Sequence, residues 1–375
     1  MSMKTNLLRK TPRALLIMLL ILLASTCGIG TSMAHAAVAS SPELKPLNWH
    51  PHVSLAAQAL VHHAAGTPVS ISTWSSSFDY QGQNYPYTMV GQDPTKGPSI
   101  TVVPTIIVPV KLTLADGTVY NGEDKVDPTI QSPIFQSAQF ASGDTQYGDA
   151  IQRAEFWRYV SAPGMFYHVW LSRPIVYPTL SLSVPADMGQ SLHLKTGHVV
   201  AGVDIDYLDT QFENYMTAYQ ISPRTLPIFL SANTLGTLQS GTVCCIGGYH
   251  SIMPNADNTA VQTYIYAEYS DFPLFTGNPT VFTNTDALSH EIAEWYNDPF
   301  VDNVVPAWSV PSEPQYGCTN ILEVGDPLVG VGFFIGDYHL QDEAFFSWFA
   351  RQSPSIGIDG RYTYLGTFTT VSPPC

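Results

Sequence analysis

Positive charge is what this sequence has least of. Lys and Arg number 15 against 30 Asp and Glu in 375 residues, and charged residues of every kind make up only 12% of the chain, about half the usual ~25%. A field of that sign repels polyanions, which argues against nucleic acid and anionic membranes as partners. Long apolar runs are equally scarce. The one uninterrupted stretch, residues 14–24 (ALLIMLLILLA), has eleven residues, well short of the ~20 that a membrane-spanning helix needs. There is no C-x-x-C pair, which weighs against a metal–thiolate cluster. Internal repeats, low-complexity tracts and a clean domain linker are all missing, so a single large domain is expected over 69–375. Two intimately packed lobes, a β-rich 69–235 and a 236–375 lobe carrying the metal site, are the variant of that reading.

The short apolar run has a specific setting. Lys4, Arg9, Lys10 and Arg13 precede it, and Ala34-His35-Ala36 follows as a small-residue cleavage site. Residues 1–36 therefore read as a secretory signal peptide, which makes the expected location extracellular, with no stable membrane association after cleavage. Residues 37–68 read as a weakly ordered lead-in. Removing the signal takes away four basic and no acidic residues, which leaves 11 Lys and Arg against 30 Asp and Glu and a formal charge of −19. Four cysteines remain: Cys244, Cys245, Cys318 and Cys375. In an oxidising compartment they suggest one or two disulfides, joining the 244–245 segment to Cys318 or to Cys375.

Proline (29), glycine (27) and tyrosine (20) are plentiful, which suits a loop-rich, strand-rich exported domain. Strands are expected at 85–90, across the β-branched run 100–114, at 225–230 and at 263–269. Pro104 and Pro109 should push the 100–114 segment to a sheet edge or a bulge, and Asp116-Gly117 reads as a turn. Helical spacing appears at 145–159, at 284–297 and around 340–351. The expected fold class is α+β, with a β-rich N-terminal part and the best helices in the C-terminal third.

The segment that carries chemistry is 284–300, NTDALSHEIAEWYNDPF. Asn284 or Thr285 can cap its start and Asp298-Pro299 ends it. At 100° per residue, Leu288, Ile292, Trp295 and Tyr296 share one side, while His290, Glu291 and Glu294 lie opposite. A surface helix would do the same; the spelling His290-Glu291-x-x-Glu294 goes further. Residues i and i+4 stack on one face, so His290 and Glu294 can reach one cation. Glu291, about 100° round the helix, can hold a metal-activated water without ligating the metal. These are the parts of the zinc-hydrolase helix H-E-x-x-H, with a carboxylate as second ligand. Glu323 and Asp326, in CTNILEVGDPL, follow Glu294 by 29 and 32 residues. Glu323 is the expected third ligand, and Asp326 the group that hydrogen-bonds the ligating His. His250, in CCIGGYHSIM, is a candidate donor to a transition-state oxyanion or an alternative ligand; His339 is a weaker candidate of the same kind.

The strings SHEIAEWYNDPF, LEVGDPL, YHLQDEAFFSWF, GGYHS and SPIFQ together resemble a group of secreted bacterial proteins carrying H-E-x-x-E, over most of the chain from about residue 84. A weaker similarity, confined to H-E-x-x-E and E-x-G-D, is to plant phosphate-induced (exordium-like) proteins. The resemblance implies a zincin-like domain in the C-terminal part, with His290 and Glu294 from the motif and Glu323 matching the glutamate of E-x-G-D. Glu294 in place of a second His makes the site harder, which either favours a divalent ion other than Zn²⁺ or marks a domain that has lost activity. The function expected is a secreted Zn²⁺ metallohydrolase, a peptidase acting on extracellular protein, peptide or cell-wall substrates, with Glu291 as general base. Two other classes stay open. One is a glycoside hydrolase, for which Glu291 and Glu294 are poorly spaced. The other is a non-catalytic secreted protein that binds cell-wall or carbohydrate ligands around a structural metal. Oligomeric state is not legible.

Overall fold

The computed structural model describes residues 70–238, 243–255, 259–275, 282–311 and 317–375. The expected signal peptide and lead-in lie outside these residues. The described residues all belong to one compact unit within 41–375. Among them no helix is long and apolar enough to cross a membrane.

The architecture is mixed α+β and rich in strand. Its centre is a sheet whose main path runs Leu180–Ser183, Thr105–Thr113, Leu226–Ala232, Val261–Tyr269 and Gly248–Pro254. The first four strands are parallel, and Gly248–Pro254 closes the path antiparallel to Val261–Tyr269. Alternation along each strand divides the core between two faces. Ile107, Ile228, Leu230, Ile265 and Ala267 point into one cluster, and Val108, Phe229, Tyr264 and Tyr266 into the other. Helices cover both, as parallel strands require. The first face takes Tyr147–Glu155 and Asp286–Asn297; the second takes Ile205–Ala218.

Several sequence expectations need correcting. The 100–114 run is two strands, Ser99–Val103 and Thr105–Thr113, divided at Pro104. The second is no edge strand but an interior one, with Pro109 opposite Leu230. Proline is tolerated because pairing on the other flank skips it. That flank is held by Ile175–Val176 at Ile106 and Ile107, and by Leu180–Ser183 from Val110 onward. The helix Ile205–Ala218 sits in a stretch read as β-rich from its surrounding prolines. Its signal was present, since Ile205, Leu208, Phe212, Tyr215 and Met216 recur at helical spacing and are buried, and Asp204 caps the start by accepting from the N–H groups of Asp206 and Tyr207. The expected 340–351 helix shrinks to Phe346–Phe349, while Tyr338–Gln341 is a strand. Tertiary partners claim the intervening backbone: Asp342 N–H donates to Val331, Ala344 N–H to Val324 and Phe345 N–H to Tyr362.

Disulfide pairing also departs from expectation. Cys318 bonds Cys375, and Cys244 bonds its neighbour Cys245. Cys318 immediately precedes the strand Thr319–Ile321, which pairs with Val304–Trp308. The guanidinium of Arg351 ties Ala307 O to Pro373 O, bringing the C-terminal segment alongside. Cys244 and Cys245 lie in a different sheet, paired with Thr234–Leu238.

One buried acid on this scaffold makes a testable statement about stability. Glu155, fully buried, accepts from Phe346 N–H through Oε2, while Oε1 has no hydrogen-bond partner among the described residues. Burial pushes its carboxyl up from 4.5 to about 8. A carboxyl raised on folding favours the native state below its unfolded pKa, and that contribution fades as pH rises through the folded value. Between pH 4.5 and about 8, Glu155 should therefore erode stability by up to ~1.4 kcal/mol per pH unit. Glu155→Gln should match the wild type near pH 4.5 and exceed it by more than ~1 kcal/mol at pH 8 in urea unfolding. An equal difference at both pH values would show that Glu155 does not titrate.

Candidate metal centre

The helix Asp286–Asn297 is buried on both sides, which an amphipathic reading alone does not foresee. Leu288, Ile292, Trp295 and Tyr296 sit in the core, and Glu291 and Glu294 are each only 4% exposed. Their side of the helix faces the strand Gly248–Pro254, the 323–326 segment and the strand Tyr338–Gln341. Neither Asn284 nor Thr285 caps the helix with its side chain. Asn284 Oδ1 instead accepts from His339 N–H, and Thr285 Oγ1 donates to His339 O. The helix start is thereby pinned to the strand that brings Gln341 to the site.

Gln341 sets the orientation of His290. Its Nε2 donates to Gly325 O at 2.7 Å, so the atom facing His290 Nδ1 at 3.1 Å is Oε1, an acceptor. His290 therefore carries its proton on Nδ1. Its Nε2 points at Glu294 Oε2 (3.1 Å), Asp326 Oδ1 (3.8 Å) and Glu291 Oε1 (3.9 Å). Glu294 is itself fixed, because its Oε1 accepts from Gly325 N–H at 3.1 Å. A closed circuit thus runs from His290 through Gln341 and Gly325 to Glu294. Gly325 is required at the crossing: a Cβ there would lie 2.5 Å from His290 Nδ1.

His250 repeats the pattern from the strand Gly248–Pro254. Its Nε2 lies 3.1 Å from Asp298 O, and a carbonyl can only accept, so Nε2 carries the proton. Nδ1 then faces Glu291 Oε2 at 3.3 Å and Glu294 Oε2 at 3.8 Å. The strand passes so close that a Cβ on Gly248 would lie 2.7 Å from Glu291 Cγ.

His290, Glu294 and Asp326 form one group able to hold a metal ion, and His250, Glu291 and Glu294 a second. Tying off one ring N–H and turning the other nitrogen toward carboxylates is the arrangement of metal-ligating histidines. The oxygen-rich donor set suits a hard or borderline divalent ion.

The electrostatics point the same way. Burial disfavours the charge on His290, but Glu294, Glu291 and Asp326 outweigh it and raise the imidazole well above its usual range. His250 is raised likewise, burial being outweighed by Glu291 and Glu294. Glu294 is held below the ordinary carboxylate range, because the two histidines and the Gly325 N–H more than offset its burial. Glu291, Glu323 and Asp326 are pushed up, first by burial and then by neighbouring carboxylates, chiefly Glu294. Six acidic residues line the pocket and no Lys or Arg does. Burial and mutual repulsion among the carboxylates disfavour their charged forms.

Against the sequence expectations, Glu323 and Asp326 differ in place. Asp326 joins the His290 group, whereas Glu323 belongs to neither, its Oε2 lying 4.0 Å from His250 Nε2. Gln341, not Asp326, orients His290. Sequence reasoning missed Gln341 because an uncharged amide in a strand carries no motif. His339 is drawn off to Asp286, at 2.5 Å. Ile246, Leu274, Phe275, Phe282 and Val329 add apolar side chains to the lining of the same pocket.

No protein-family model matches the chain, and no curated protein or solved structure matches it either.

The hydrogen-bond circuit predicts that Gln341→Ala leaves the fold intact and weakens metal binding by about 10- to 100-fold, read by competition with a chelating dye. Unchanged affinity would mean that Gln341 does not hold His290.

Proposed function

We propose that this protein is an exported, divalent-metal-dependent hydrolase of zincin type, a peptidase, whose ion is held by His290 Nε2, Glu294 and Asp326. The observation that carries the reading is the pair of histidines. Each commits one ring N–H to a fixed acceptor and turns its other nitrogen onto the same buried carboxylates. The resemblance of the H-E-x-x-E and E-x-G-D strings to secreted zincin-like proteins supports the same assignment. Zn²⁺ is the ion proposed, with the carboxylate-rich donor set leaving room for a harder one.

A divalent ion at this site supplies a Lewis acid that polarises a carbonyl and makes water acidic near neutral pH. The remaining roles belong to the chain. Glu291 uses its two oxygens differently: Oε2 is held by His250, and Oε1 faces the His290 group from just outside it. That oxygen takes the proton of the attacking water and passes it to the leaving amine. Burial raises the pKa of Glu291, which makes it a stronger base. Gln341 and Gly325 keep His290 and Glu294 in register. The apolar part of the lining suits a bulky apolar side chain next to the scissile bond and sheds water around it.

Purified protein should contain metal by elemental analysis and cleave members of a peptide library that carry large apolar residues. Glu291→Gln should keep its metal and lose at least ~10²-fold in activity. His290→Ala should lose both. A metal-loaded wild type without turnover on any peptide would sink the hydrolase reading and leave a structural metal in a binding protein. Loss of metal in Glu291→Gln would show that Glu291 is a ligand and not the base.

A further inference from the structure

We infer that the pocket has a second cation position, formed by His250 Nδ1, Glu291 and Glu294, and that Glu294 bridges it to the first. The inference rests on the hydrolase reading above and deepens it, because it takes over the group assigned there as base.

Three observations carry it. First, the two histidines fall in separate groups that share only Glu294: His290 with Glu294 and Asp326, His250 with Glu291 and Glu294. The shared atom is Glu294 Oε2, 3.1 Å from His290 Nε2 and 3.8 Å from His250 Nδ1. A carboxylate oxygen within 4 Å of nitrogen donors from two different elements is placed as a bridging ligand. Second, His250 is 2% exposed and its tautomer is set by Asp298 O. The Nδ1 lone pair of the neutral ring therefore faces Glu291 Oε2 at 3.3 Å. Two acceptors at that distance repel unless a cation stands between them, either a proton or a metal ion. Third, six acidic residues line the pocket without Lys or Arg. Fully ionised they would carry six negative charges, of which one divalent ion offsets only two.

The consequence is regulatory. An ion in the His250 position uses Glu291 as a ligand, so Glu291 can no longer accept a proton from water. Filling the second position switches hydrolysis off. Repulsion between neighbouring divalent ions makes the second site weaker, by at least ~10-fold.

Equilibrium dialysis of the full-length protein against increasing Zn²⁺ should show two ions per chain, the second at higher free metal. Activity should fall along the second isotherm. His250→Gln and His250→Phe should each keep the tight ion and lose the weak one. Loading with Mn²⁺ should give an exchange-coupled electron paramagnetic resonance signal at two equivalents in the wild type and not in either variant. The paired variants guard against misfolding, because the retained tight ion reports an intact His290 group. Saturation at one ion, lost in His290→Ala, would overturn the second site and leave the proposed hydrolase standing, with a proton in place of the second ion. A second ion that persists in both His250 variants would place it elsewhere and overturn the inference. No ion in the wild type would overturn both readings.

Discussion

Two histidines and six acidic residues line one pocket with no Lys or Arg in its lining, and the geometry around that pocket follows from this arrangement. Burying like charges together is costly, and the cost is met only by cations or by proton uptake. The protein answers with rigid geometry. Glu294 is fixed by Gly325 N–H, His290 by Gln341, and His250 by Asp298 O. Each of these holds a side chain in the one orientation in which its free nitrogen or oxygen faces the others.

The scaffold explains how such a cluster can be held. The antiparallel edge strand Gly248–Pro254 carries His250 and passes close against Glu291. The helix Asp286–Asn297 packs its apolar side into the core and its acidic side against that strand and the 323–326 segment. Apolar side chains in the same lining, Leu274 and Phe282 among them, make the pocket both charged and greasy. That combination suits an apolar substrate group held next to polar chemistry.

Part of the candidate site was legible in the sequence. His290, Glu291 and Glu294 were readable because i and i+4 on a helix must share a face, whatever surrounds them. His250, Glu323 and Asp326 were readable only as candidates, since chemistry-bearing residues far apart in sequence carry no distance. The structure brings all six together but places Asp326, not Glu323, with His290. In the fold, the Ile205–Ala218 helix was hidden by the prolines around it, and the expected 340–351 helix was overruled by backbone pairing to Val331, Val324 and Tyr362. Pro109 argued for an edge strand, yet its strand is interior, because proline's missing donor falls in a gap of the pairing.

What the sequence determined by itself is local and periodic: the acidic composition, the helical spacing that stacks His290 over Glu294, and the alternation that gives the central strands two apolar faces. These depend on neighbours a few residues apart, which the chain order fixes. What only the tertiary structure decided is which distant groups meet. Gln341 orients His290, Cys318 finds Cys375, and His250 and Asp326 both come close to Glu294. Those pairings arise from strand order and register, and a single chain read end to end does not carry that information.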